Sequence, residues 1–330
     1  MKKLLSLCLM SFALVTGCSS ETETTTKTLA VVMPNATHGF LGESIKHAEA
    51  ATKEFAEAKG YNYKFLTSAE ASEQNNQLDT LINEKVDAIV LWPHNGDELR
   101  SGAQSVLNEN IPLIVYDRLI TGMEPTAEVL GDNIKIGEMA GKYLNKYFAD
   151  TKDPVNILEF KGDNSTVPQQ RSDGFYSTAK KKIHVVQQFD TGWQRATAQD
   201  QMENFINSRD ADTVSSIKAV FTHDAEVAAG VLMAIKSYDG PKKLNIKLVT
   251  SVSLPKELLE NFEPYQSDTG IDQVGYSFSP AMVRDAIQKG IDVLDGKEVS
   301  GQYLIETEEV DNSNVNAYRD GNTFKIRYSL

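Results

Sequence analysis

The chain holds two cysteines in 330 residues, and both, Cys8 and Cys18, fall within its first eighteen positions. No disulfide framework is left for the rest of the chain, so burial of a core must stabilise the fold unaided. Basic residues are also short: 33 Lys and Arg face 46 Asp and Glu, a formal net charge of −13. That balance repels phosphate backbones and argues against nucleic acid as a partner. Histidine is scarce, and His47, His94 and His184 have neither the spacing nor the neighbours of a metal site, so no metal and no cofactor is expected. A Gly-x-Ser-x-Gly elbow, a P-loop and a nucleophilic cysteine are all missing, which argues against an enzyme. After Val15 no apolar run approaches membrane-spanning length.

What is present begins with a processing segment. "MKKLLSLCLMSFALVTGC" has Lys2 and Lys3, an apolar run from Leu4 to Val15 and a small residue, Gly17, before Cys18. The order predicts a signal peptide over residues 1–17, and "VTGC" is similar to a bacterial lipobox, with Cys18 as the acylated residue. An ordinary cleaved signal with an incidental cysteine is the plainer alternative. "SSETETTTK" is polar and without periodicity, so residues 18–28 read as the lipidated cysteine and a solvated tether. The expected protein is exported and anchored to the membrane, facing the periplasm or the cell exterior.

From Thr28 onward short apolar runs alternate with helical patterns. "TLAVVMP", "YNYKFLTS", "VDAIVLWP" and "IPLIVYDR" read as strands separated by helices near 40–59, 72–84 and 98–109. The pattern restarts with "VNILEFKGD", "HVVQQFD", "IKAVFTHD" and "NIKLVTS", with helices near 169–182, 195–209 and 224–238. Strand and helix in alternation imply parallel sheets covered on both faces, and the restart implies two similar halves. In such sheets a ligand sits beyond the carboxyl ends of the strands. His38, Trp92, Asp117, Arg118, Asp163, His223 and Asp224 all stand at such ends, and Trp193 follows one. Carboxylate, guanidinium and flat rings together suit a neutral polyhydroxy ligand, the rings covering its apolar face. Asp117 and Arg118 read equally as an ion pair capping a strand edge. Trp92 reads also as a packing residue, and Asp132 with Asn133 as a helix N-cap.

From Leu29 to about Gly301 the chain resembles the periplasmic sugar-binding proteins of ABC importers, the type I group that contains ribose, galactose and xylose binders. The resemblance rests on "GFLGESIKHAE", "LINEKVDAIVLWP", "IPLIVYDR", "GDNIKIGEMAGKYL", "QQRSDGF", "IKAVFTHDAEVAAGVLMAI" and "DQVG", in that order. It implies an α/β protein of two doubly wound parallel-sheet domains joined by a three-segment hinge. The expected first domain is 29–131 plus 270–299 and the second 132–269 plus 300–330. Crossings are expected near Gly131 to Asn133, Thr269 to Ile271 and Val299 to Gln302. The resemblance places the ligand-binding residues at His38, Phe40, Trp92, Asp117, Arg118, Arg171, Trp193, His223, Asp224 and Asp268, and "VYDRLI" is similar to the xylose type.

Two departures alter the site. Asp224 stands where the family has an amide, and Val252 stands where it has an acid. The resemblance implies a monomer that captures a monosaccharide, a pentose or hexose with xylose favoured, and delivers it to a membrane ABC permease. The alternative is a sensory protein that presents a sugar, nucleoside or furanosyl signal to a receptor or histidine kinase.

Overall fold

The computed structural model describes residues 26–328. The expected leader and Cys18 lie outside the described residues. The chain runs β1 (Thr28–Pro34), α1 (Gly39–Lys59), β2 (Asn62–Ser68), α2 (Ala71–Asn83), β3 (Ala88–Leu91), α3 (Gly96–Asn108), β4 (Leu113–Tyr116) and β5 (Ala127–Gly131). It continues with α4 (Asn133–Tyr147), β6 (Val155–Lys161), α5 (Thr166–Thr178), β7 (Ile183–Asp190), α6 (Arg195–Ser208), α7 (Ala211–Ser216), β8 (Ile217–Thr222), α8 (Ala225–Ser237), β9 (Leu248–Val252), α9 (Lys256–Thr269) and β10 (Asp272–Tyr276). A 3-10 turn (Pro280–Met282), α10 (Val283–Leu294), β11 (Gly301–Ile305), β12 (Glu309–Asp311), α11 (Val315–Asp320) and α12 (Asn322–Tyr328) complete it.

Two six-stranded sheets result, ordered β11-β5-β4-β3-β1-β2 and β12-β10-β9-β8-β6-β7. The first is parallel throughout, while the second carries β12 as an antiparallel edge. Strands β1, β3 and β4 are buried along nearly their whole length because helices cover both faces, as a continuous apolar run requires. The chain is therefore two α/β domains with parallel sheets.

Two expected boundaries move. The strand at 272–276 does not open a return to the first domain. It lies between β9 and β12 in the second sheet, with Gln273 opposite Val249. Likewise β11 pairs in parallel with β5, Gln302 opposite Glu128, and closes the edge of the first sheet. A strand joins whichever sheet offers an open edge in register, and sequence proximity to a helix does not decide which. The crossings thus fall at Gly131–Asp132, between Tyr276 and Pro280, and between Ile305 and Glu309. Helix α10 packs on α1 and on the first sheet. The chain end belongs to both domains: Val315 and Phe324 join the second core, while the Arg327 carbonyl accepts from Ser279 Oγ at 2.8 Å in the second crossing.

Candidate functional site

The strands of both sheets point their carboxyl ends at one gap between the domains, and the residues there are held in unusual backbone geometry. Asp117 follows β4 at φ +64°, Trp193 follows β7 at φ +65°, and Ser253 follows β9 at φ +66°. Side chains other than glycine rarely adopt this left-handed region, and such strain persists where surrounding structure over-determines it. The Asp117 N–H donates to the Val129 carbonyl at 3.1 Å and that of Ser253 to the Tyr276 carbonyl at 2.9 Å. Each turn is thus tied to a neighbouring strand. Gly162 makes room for the third, since a Cβ there would stand 2.1 Å from the Trp193 ring.

His38, Phe40, Trp92, Asp117 and Arg118 from the first domain meet Arg171, Trp193 and Asp224 from the second around a cavity of about 30 Å³. Val167, Val252, Ser253 and Phe278 complete the lining. The domains are closed on one another. Arg118 Nη2 donates to Asp163 Oδ2 at 2.9 Å, the Leu119 N–H to Thr166 Oγ1 at 3.1 Å, and Gln194 Nε2 to the Thr37 carbonyl at 2.9 Å. Trp92 and Trp193 are both buried in this arrangement.

Arg118 lines the gap and is held from both domains. Its Nη1 donates to the Pro93 and His94 carbonyls at 3.3 and 2.5 Å, and its Nη2 takes Asp163. Burial works against ionisation of Asp163, but Arg118 and Ser165 outweigh it and hold that carboxyl below its ordinary range. Asp117 has no such partner. Burial raises its pKa, with Arg118 and Arg171 opposing, and the Trp92 indole N–H faces it from outside ordinary hydrogen-bond geometry.

Arg171 is delivered by two helices that touch backbone to backbone. A Cβ on Gly137 of α4 would stand 2.0 Å from the Arg171 carbonyl of α5, and one on Gly174 the same distance from that of Ile134. Only residues without a side chain permit this approach. It brings Asn133 Oδ1 to 2.9 Å from Arg171 Nε, while Nη1 donates to the His223 carbonyl. The guanidinium lies 4.8 Å from the Phe278 ring centre and 5.7 Å from that of Trp193. Burial lowers its pKa to about 10, so it stays charged at neutral pH.

Two helix caps face the same gap. The Leu41 N–H donates to His38 Nδ1 at 3.5 Å at the start of α1. Burial first, then Arg118, lowers the His38 pKa to about 4, leaving a neutral ring. With Nδ1 accepting, the proton resides on Nε2, and His38 offers a donor. Asp224 caps α8 through Oδ1, which accepts from the Glu226 N–H at 2.8 Å. Burial raises its pKa to about 6.

Two expected site residues, Asp268 and His223, do not line the cavity. Asp268 lies in the last turn of α9 and pairs with Lys236 at 2.8 Å on the surface. A helix that runs back along a parallel sheet ends at the opposite edge from the strand carboxyl ends, so this position is remote. His223 is wholly buried behind the cavity, its Nε2 at 3.1 Å from Glu159 Oε1. Glu159 also accepts from Ser172 Oγ at 2.7 Å, Tyr176 OH at 2.6 Å and Gln188 Nε2 at 2.7 Å. Burial raises its pKa, but hydrogen bonds led by that of His223 overcome this and bring it to about 2. His223 therefore contributes a carbonyl to Arg171 rather than a ring to the gap. Asp132 alone caps α4, accepting from the Lys135 N–H, whereas Asn133 turns inward to Arg171. Sequence reasoning does not single out Phe278 or Val167. Phe278 sits in a crossing, directly over Gly131 of another crossing, where a Cβ would meet its ring at 2.0 Å.

The chain is 27% identical over 168 residues to the ribose import binding protein of Bacillus subtilis, covering 51% of this chain and 53% of that one. It is thus aligned to about half the length of that relative. It is 29% identical to the D-xylose-binding periplasmic protein of Escherichia coli, covering 52% of this chain and 53% of that protein. Its fold matches the fructose-binding periplasmic domain of a hybrid two-component system with a TM-score of 0.75 at 20% identity, over 90% of this chain and 95% of that domain. A periplasmic binding protein domain is recognised across residues 29–298, and with two parallel-sheet domains closed over a shared gap the chain belongs to that family.

Proposed function

We propose that this protein is a lipid-anchored, extracytoplasmic substrate-binding protein of an ABC importer that captures a monosaccharide between its domains by hinge closure. The observation that carries the reading is chemical. One gap receives the acceptors Asp117 and Asp224, the donors Arg171 and His38, and the faces of Phe40, Trp92, Trp193 and Phe278. Carboxylates accept from sugar hydroxyls, the guanidinium and imidazole donate, and rings cover the C–H faces. Ligand bridging both domains favours the closed state over the open one, and entry requires the domains to part at the three crossings. Resemblance to the ribose and D-xylose binders favours an aldopentose, with Asp117, Arg171, Asp224 and His38 as its polar contacts. Arg118 serves closure.

The test is a thermal-shift screen of pentoses, hexoses, inositols and nucleosides. A ligand at about 100 times its dissociation constant adds roughly 2.7 kcal/mol, several degrees for a protein of this size. No shift with any monosaccharide removes the sugar reading. Labelling of the full chain by radioactive palmitate, lost in Cys18→Ser, tests the anchor. The sensory alternative has a relative in fold only, the periplasmic domain of the two-component system. Reconstitution with a permease from the same genomic neighbourhood, giving sugar-dependent ATP hydrolysis, favours the importer. Sugar-dependent autophosphorylation of a neighbouring histidine kinase favours the sensor.

A further inference from the structure

Two further cavities adjoin the cleft. Phe40, Asp224 and Ser253 line it and also line a second cavity of about 170 Å³ at the mouth between the domains. Ala225, Glu226 and Pro255 line that mouth and also a groove of about 190 Å³ on the second domain, between α8 and α9. The three spaces lie in series along shared lining residues, around the N-terminus of α8. At the mouth Glu226 lies against Gly39 of the other domain, where a Cβ would stand 3.1 Å from the carboxylate, so an occupant passes by displacing this side chain.

The outer groove is apolar underfoot and pinned at its rim. Ala225, Ala229 and Met233 recur every four residues on one face of α8, and Leu258 of α9 stands opposite. Met233 is 48% exposed, one of few large apolar side chains in that state among the described residues. Arg195 donates to Glu226 at 2.8 and 3.2 Å and to Glu257 at 3.0 and 3.1 Å. Held by two carboxylates, it lines the rim of the groove rather than its floor. Small alanines leave the space, and a flexible thioether adapts to what enters it.

We propose that the ligand of this protein is a substituted sugar: its polyol ring sits in the cleft, and an apolar group leaves through the mouth to lie in the groove between α8 and α9. The proposal rests on the reading of the cleft as a sugar site and adds the class of ligand, a glycoside with an aromatic or branched aliphatic aglycone. Adjacency to the cleft singles out this occupant over a separate protein partner, since Asp224 lines the cleft and the mouth and the next residue, Ala225, lines the mouth and the groove.

Calorimetry on the full-length protein tests it with D-xylose, D-ribose and their methyl and phenyl glycosides in both anomers. The expected result is that one phenyl glycoside binds at least about tenfold more tightly than its methyl counterpart, as burial of a ring's apolar surface dictates. Ala229→Glu and Met233→Glu should each cancel that gain while leaving the affinity for the free sugar unchanged, and the unchanged affinity shows that both variants fold. Free sugars that bind while no phenyl glycoside gains would overturn the inference and leave the cleft reading standing. A gain that survives both variants overturns it equally. Failure of every sugar and glycoside to bind removes the cleft reading and the inference with it.

Discussion

Arg118 Nη2 and Asp163 Oδ2 lie 2.9 Å apart across the gap, one from each domain, and both side chains are largely withdrawn from water. Arg118 is also anchored to two carbonyls of its own domain. In the hinge closure proposed above the pair is a latch: the guanidinium is held ready, and closure brings the carboxylate to it. Asp163→Asn should weaken ligand binding by about 1 to 3 kcal/mol, between the values for exposed and buried pairs. The loss should appear as faster ligand release in stopped-flow measurements, because the latch forms only on closure. Small-angle scattering of the variant should show a larger radius of gyration than wild type under the same conditions. An unchanged release rate would mean that Arg118 acts on the ligand and not on the domains.

Arg171 owes its position to Gly137 rather than to its own helix. Gly137→Ala drives a Cβ into the Arg171 backbone carbonyl, which cannot move aside as a flexible side chain would. The expected cost is about 1 to 3 kcal/mol of stability in denaturant unfolding, with ligand affinity reduced at the same time. Asn133→Ala separates the two effects. It removes the Nε partner of Arg171 and a 3.3 Å bond to Gln170 Oε1 without any backbone clash, and should lower affinity with a smaller loss of stability.

Strand ends were the legible part of this protein. Apolar runs of four to seven residues, each followed by Asp, His or Trp, place Asp117, Trp92 and Asp224 around one gap once the sheets are parallel. Resemblance added Phe40 and Arg171. Partners of these residues were not legible, because they come from elements distant in sequence. Asn133 reads as a cap until α4 is packed on α5, and the pairing of Arg118 with Asp163 is hidden until the second domain is in place. The exchange of β10 and β11 between sheets was hidden for a related reason. Five-residue strands of middling hydrophobicity, such as "GQYLI", fit either edge, and register with β5 decides. Asp268 was misplaced because a position counted along the chain says nothing of which end of a helix it occupies.

Only two tryptophans are present, and both line the cleft from opposite domains. Trp92 packs edge-on against Tyr116 at 4.9 Å and Phe40 at 6.4 Å, whereas Trp193 meets His38 across the gap at 6.5 Å. Opening wets Trp193 more than Trp92, whose neighbours belong to its own domain. Intrinsic fluorescence should therefore change on titration with ligand and saturate at one per chain. Trp193→Ala should abolish most of the change and weaken binding by roughly 1 to 3 kcal/mol. A full signal retained in that variant would place the ligand elsewhere.

Acidification should weaken binding through Asp224. Burial raises its pKa in the folded protein to about 6, above the ordinary value of 3.8, so the empty site takes up a proton as pH falls through 6. A sugar hydroxyl donating to this carboxylate favours the ionised form, and protonation must then be reversed for the ligand to bind. Affinity should hold steady from pH 8 to 7 and decline below about 6. Stability runs the other way for this group. The folded state binds more protons than the unfolded between pH 6 and 4, so acidification stabilises it there. His38 opposes this: its folded pKa of about 4 lies below the ordinary 6.5, and the stability it contributes is lost as pH falls across that window. Melting temperature alone therefore cannot isolate Asp224, and affinity can. Asp224→Asn, which still caps α8, should bind with an affinity that no longer falls near pH 6. A decline that persists in the variant would move the titrating group away from Asp224, and Asp117→Asn would then test the other carboxyl in the gap, whose pKa burial also raises.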